Sequence, residues 1–310
     1  YLNTWMPSGD TVRQSVAGYF GGGTDDVNDI SRVDKITFPA DTKSTLSATL
    51  STARQFLSAM ANSGVAGYFG GGSDGGGKIS GIDKITFPAD SKSTLSATLT
   101  AGVTRSAGMS NSGVAGYFAG GETPAAPAIS GIDKITFSAD TKTTLSATLT
   151  TARYGSEGMA NYGVAGYIGG GYETVDNVSG IDKITFPADT KTTLSATLST
   201  ARRGPAAMAN SGVAGYFGGG IDTGFLSGID KITFPADTKT TLAATLTTAV
   251  GIMAGMADSG VAGYFGGGSG GSSISGIDKI TFSADSKTTL AATLTSVSAR
   301  LAGMSNQGVF

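Results

Sequence analysis

Two segments alternate along nearly the whole chain, one close to SGIDKITFPADTKTTLSATL and one close to GVAGYFGGG. The tyrosine of the second falls at Tyr19, Tyr68, Tyr117, Tyr167, Tyr216 and Tyr264, so the period runs 49, 49, 50, 49 and 48 residues. Copies this alike must fold as copies of one unit, each leaving a face that only a neighbour can cover. The chain is therefore an array or a ring of six.

Each copy reads as four short strands, here called a to d. In the second copy strand a lies around Met60 in SAMAN, strand b is VAGYFGG around Tyr68, and strand c runs from Ile82 to Phe87. Strand d is placed at TLSATL, Thr94 to Leu99. Thr, Ile, Val, Tyr and Phe favour strands, and helix-period patterning is missing. Asn62-Ser63-Gly64 suits a tight a–b hairpin, in which glycine takes a positive φ. Pro88-Ala89-Asp90-Ser91-Lys92 suits the c–d turn, with the aspartate side chain bonding its own backbone.

Strand a recurs around Met60, Met109, Met159, Met208 and Met256, and a sixth copy stands at the C-terminus in Ala302-Gly303-Met304-Ser305-Asn306. The last strand a therefore stops where the first strand b begins. The expected fold is all-β: one six-bladed β-propeller of four-stranded blades, closed by the C-terminal innermost strand joining the N-terminal blade. Residues 15–310 form the ring. Residues 1–14, which hold the single tryptophan Trp5 and do not fit the repeat, form an N-terminal arm or tether. The start at Tyr1 points to a processed form or a fragment.

Composition narrows the function. Histidine and cysteine are both absent. That removes disulfides, thiolate metal sites, the commonest general base and the usual pH switch. The formal net charge is −2, which argues against a nucleic-acid partner. No run of about 18 apolar residues exists, so no membrane insertion is expected.

The diglycine after an aromatic pair (Tyr68-Phe69-Gly70-Gly71), the segment Ile82-Asp83-Lys84-Ile85-Thr86-Phe87 and Arg54 ahead of strand a resemble the kelch repeat family. The resemblance covers about Ser15 to Phe310 and implies a kelch-like propeller. The chain departs from the family where Leu46, Leu95, Leu145, Leu194, Leu242 and Leu290 stand in place of the usual tryptophan. The arginine is present at Arg54, Arg153 and Arg202, whereas the aligned positions hold Val103, Val250 and Ser298. Ser138-Ala139-Asp140-Thr141-Lys142-Thr143-Thr144 also resembles the Asp-box turn of sialidase-type propellers, a structural motif. Glycine-rich, tryptophan-poor copies of this style are similar to kelch-like repeat proteins of phage virions or tail fibres. That likeness implies an extracellular or virion-surface location.

The copies also differ among themselves. The strand-c aspartate always precedes the strand-d leucine by 12 residues, as in Asp83 and Leu95. Every length change falls in the b–c loop, and the d–a connection varies in sequence. In an up-and-down blade these two emerge on one face, so one face is uniform and the other diversified. The expectation is a non-catalytic recognition module that binds a cell-surface receptor or glycan through the diversified face. Its candidate contacts are Asp25, Asp26, Asn28, Phe56, Arg105, Tyr154, Tyr172, Glu173, Arg203 and Phe225. The alternative is a structural or protein-docking module, with loops that drift only because tight hairpins tolerate less change.

No cofactor is expected. Asp25, Asp26, Asn28 and Asp29 offer oxygen ligands of the kind calcium takes, without EF-hand spacing. The repeated Asp83-Lys84 pair is expected to form inter-blade ion pairs or to anchor turns. Tyr68, Phe87 and their equivalents are expected to pack blade on blade. An enzyme is not expected: a tyrosine nucleophile needs a glutamate partner and an arginine cluster, and the three glutamates, Glu122, Glu157 and Glu173, show no such pairing in the sequence.

Overall fold

The computed structural model describes residues 17–306, and within them each copy of the repeat becomes a four-stranded antiparallel sheet. In the second blade strand a is Ser58–Asn62, b is Ala66–Gly70, c is Ile82–Thr86 and d is Ser91–Thr94. Six such sheets form the ring. The first blade takes its strand a from the other end of the chain: Ala302–Ser305 pairs with Ala17–Gly21, with Met304 opposite Tyr19. The expected six-bladed propeller and its closure are thus the observed ones. The proposed arm at 1–14, together with residues 15–16 and 307–310, lies outside the described residues.

Two local expectations are corrected. Strand d begins earlier than TLSATL. Asp90, at φ 54°, reverses the chain within a short turn, so Ser91 already stands opposite Thr86. TLSATL then leaves the regular ladder, keeping bonds from Leu95 N to Ile82 O and from Leu99 N to Ser80 O. Its alternating pattern reflects leucines tucked under the blade, with Leu99 buried. The turn aspartate also does not bond its own backbone. Its carboxylate crosses to the preceding blade.

Blade-to-blade packing explains the small residues of strand b. The strand-a methionine of each blade presses onto a strand-b glycine of the next: a Cβ on Gly116 would fall 1.9 Å from Met60 Sδ, and one on Gly67 would fall 2.1 Å from Met304 Sδ. One step outward the direction reverses, and a Cβ on Gly21 would lie 2.6 Å from Phe69 Cζ. Side chains enter holes left by missing side chains, which close packing requires. One joint uses a different pair. Where the other copies have the aromatic, the fourth blade has Ile168, and where they have the glycine, the third blade has Ala119. Both sit in the same buried cluster, so the smaller knob meets the shallower hole.

Candidate functional site

The joints between blades differ on the two faces. On the face that carries the a–b and c–d turns, each strand-b tyrosine donates its hydroxyl to the turn aspartate of the next blade. Tyr19 reaches Asp90 at 2.8 Å, Tyr117 reaches Asp189 at 2.7 Å, and Tyr264 closes the ring on Asp41 at 2.8 Å. The strand-c lysine bonds the other carboxylate oxygen, as Lys35 does to Asp90 at 2.6 Å. The tyrosine ring stacks on the next blade's phenylalanine, Tyr19 on Phe87 at 5.0 Å. Burial and the aspartate bond push these tyrosine hydroxyls well above their ordinary value. The Asp-Lys pair therefore does make inter-blade contacts, but the two residues reach opposite neighbours, as adjacent strand residues must.

The aspartate of that pair turns toward the preceding blade. Asp83 accepts from Ser51 N at 2.8 Å and Thr94 Oγ1 at 2.7 Å, and pairs with the buried Arg54 at 3.0 Å. Burial alone would raise its carboxyl, but these bonds outweigh it and hold it below the usual carboxylate value. Arg153–Asp182 and Arg202–Asp230 repeat the arrangement. Where valine replaces arginine, the side chains of Asp133 and Asp278 stay 12% and 11% exposed, against 0% for the three paired aspartates. The arginine lets the carboxylate leave water. In the first blade Arg32, just ahead of strand c (Val33–Thr37), takes this part, with its Nε 3.6 Å from Asp34.

The diversified face is joined by backbone instead. Phe56, Arg105, Gly155, Gly204, Ile252 and Arg300 occupy equivalent places in the six d–a connections, all at φ between 55° and 64°. Each donates its N–H to the carbonyl of the one before: Phe56 to Arg300, Arg105 to Phe56, Gly155 to Arg105, Gly204 to Gly155, Ile252 to Gly204 and Arg300 to Ile252, at 2.7–2.9 Å. The result is a closed belt of hydrogen bonds around the axis. The residue ahead of each belt position is clipped to the base of a b–c loop by backbone bonds, as Tyr154 is to Tyr172.

Above the belt lies a cup of about 390 Å³. Five of the residues expected as contacts line it: Phe56, Arg105, Tyr154, Tyr172 and Arg203. They form a run of guanidinium groups on rings. Arg105 lies 4.0 Å from the Phe56 ring centre and 5.4 Å from that of Tyr154, Arg203 lies 5.2 Å from that of Tyr172, and the two tyrosine rings are 5.5 Å apart. The other expected contacts do not line the cup. Asp25 caps its own loop by accepting from the N–H groups of Val27 and Asn28, and Asp26 accepts from Ser273 of the last blade. Glu173 and the exposed Phe225 sit farther along their b–c loops. Among the described residues no group of three or more acidic side chains converges to hold a metal ion.

Four further contributors were not among the expected contacts. Arg300 lies over the other side of the Phe56 ring, 4.9 Å from its centre, and Gln55 Oε1 orients it at 2.7 Å. Gly155 and Gly204 are neighbours on the belt and open the cup. Glu157 begins a strand a where other copies have serine or alanine, so its carboxyl faces both the cup and the axial channel below. Burial, eased only by an N–H bond from Gly158, pushes that carboxyl up to about 8. The sequence signal for Glu157 was its singularity among six otherwise small residues. Arg300 carried no signal beyond its place in a variable connection.

No family model matches this chain. No curated protein matches it either.

Proposed function

We propose that this propeller is a non-catalytic recognition module whose ligand, a cell-surface receptor or glycan, seats in the cup on the diversified face. One observation carries the reading: five residues drawn from four variable connections and one variable loop converge on a single concavity above a rigid belt. Concave sites with aromatic walls and a few convergent polar groups are the usual form of ligand sites. A non-catalytic role is supported by the cup's acid–base content, since among the described residues Glu157 is its one lining carboxyl and Glu122 beside it is held by Arg105 at 3.0 Å. A kelch-like repeat protein on a phage virion or tail fibre, outside the cell, is the setting that the repeat style favours.

Gly204→Ile places in the belt the side chain that Ile252 already carries at an equivalent position, and fills the cup at the cost of one more left-handed residue whose Cβ stands 3.3 Å from Ile252 N. Binding of the protein to an array of neutral and acidic glycans and to whole cells is expected to be lost in this variant. Binding that is absent from the native protein, or unchanged in the filled one, rejects the reading.

A second reading, an assembly module, has its own observation. Val65, Val114, Val164, Val213 and Val261 stand at the a–b turns, each 45–52% exposed, and make an apolar ring on the uniform face. A symmetric neighbour docked there would leave the cup free.

A further inference from the structure

The charges around the cup are not balanced in the same way. Arg105 is neutralised by Glu122 at 3.0 Å. Arg203 and Arg300 are instead oriented by neutral amides, Asn177 Oδ1 at 3.4 Å and Gln55 Oε1 at 2.7 Å. Among the described residues no carboxylate lies within ion-pair distance of either; Asp26 and Asp29 stand farther off, near enough to feel the charge of Arg300. Arg300 Nε is buried and has no hydrogen-bond partner there. An amide carbonyl positions a guanidinium and leaves its charge available to a ligand, and a guanidinium in a partly dry wall favours an anion.

The rest of the wall is flat and aromatic. Tyr154 and Tyr172 stand at the edge that Gly155 and Gly204 leave open. At the four other belt positions phenylalanine, arginine or isoleucine takes the same left-handed conformation, so the belt can close without glycine. A Cβ on Gly155 would meet nothing closer than 3.5 Å. A Cβ on Gly204 would stand 3.3 Å from Ile252 N, and both glycines line the cup with Tyr154 and Tyr172. Aromatic faces of this kind suit the C–H face of a sugar ring.

Resting on the recognition reading above, we propose that the cup takes an acidic sugar residue, its anionic substituent drawn to Arg203 and Arg300 and its ring laid against Tyr154 and Tyr172. Glu157 then serves as the floor. With its proton in place it donates to a ligand oxygen and adds no repulsion.

The anion could be a carboxylate or a sulfate, and the test separates them. The native protein, Arg203→Ala, Arg300→Ala and Gly204→Ile are titrated by calorimetry at pH 7 with sialyllactose, sulfated lactose, lactose and a short polyglutamate peptide. Folding of each variant is checked by its thermal transition. The expected result is binding of sialyllactose or sulfated lactose at least tenfold tighter than lactose, weakened tenfold or more by either arginine substitution and abolished by the filled cup. Equal binding of lactose overturns the acidic-sugar inference while leaving a cup that recognises sugars. Polyglutamate binding as well as the acidic sugars do overturns the role of the sugar face. No binding of any probe overturns the inference, and if the glycan and cell panel is also silent toward the native protein, the recognition reading falls with it.

Discussion

The two faces of the ring are both closed six times over, but by different parts of the chain. On the uniform face the joint is a tyrosine, a lysine, an aspartate and a phenylalanine from two blades. Each is a side chain, so each copy has to keep it. On the diversified face the joint is an N–H and a carbonyl, which every non-proline residue supplies. Phe56, Arg105, Gly155, Gly204, Ile252 and Arg300 close the belt equally well. Variability on one face therefore has a mechanical cause: the ring is held there by atoms common to all residues, and the side chains are released to make a site.

This contrast can be broken most severely at the buried ion pairs beneath it. Arg54→Ala leaves Asp83 buried without its partner and is expected to cost about 3–5 kcal/mol in chemical denaturation, where the same joint built on Val250 stands without an arginine. The cost should shrink in acid. Asp83 is held below the ordinary value of 3.8, so its contribution is present above that pH and is lost as pH falls through the lower folded value.

Ile168→Phe should cost about 2 kcal/mol by overfilling the space beside Ala119, and Ala119→Gly in the same chain should recover most of it. Additive losses in the double variant would show that the two positions do not share a hole. Tyr216→Phe removes one bond to Asp285 and leaves Lys231 in place, for an expected loss of about 1.5 kcal/mol. Ile252→Phe, which puts at this belt position the residue that Phe56 carries in the same left-handed conformation, should cost no more than about 1 kcal/mol. A larger loss there than at Tyr216 would contradict the account of which face depends on its side chains.

A further effect is set by pH. Glu157 keeps its proton in the folded chain up to about 8, whereas the ordinary value is 4.5. Between those values the folded state holds a proton that the unfolded state has released, so stability declines as pH rises across that window. Glu157→Gln should remove the decline. Its melting temperature should match the native protein's near pH 4 and exceed it by a few degrees at pH 8.5.

The repeat alone determined the number of blades, the closing strand and which loops share a face, because six copies of one pattern admit one ring and the fixed spacings left the variation nowhere else to fall. It also singled out Phe56, Arg105, Tyr154, Tyr172 and Arg203, since they stand where the copies disagree. It did not tell which partner each charged residue would take. Asp90 meets Tyr19 and Lys35 across 71 and 55 residues, and nothing local marks such a pair. Asp25, Asp26, Asn28, Glu173 and Phe225 looked equal to the five that line the cup, because distance from the axis is not written in loop composition. Only the tertiary structure decided that the belt is backbone, that two adjacent glycines line the cup, and that Arg203 and Arg300 are oriented by amide oxygens. Those features depend on which groups the closed ring brings side by side.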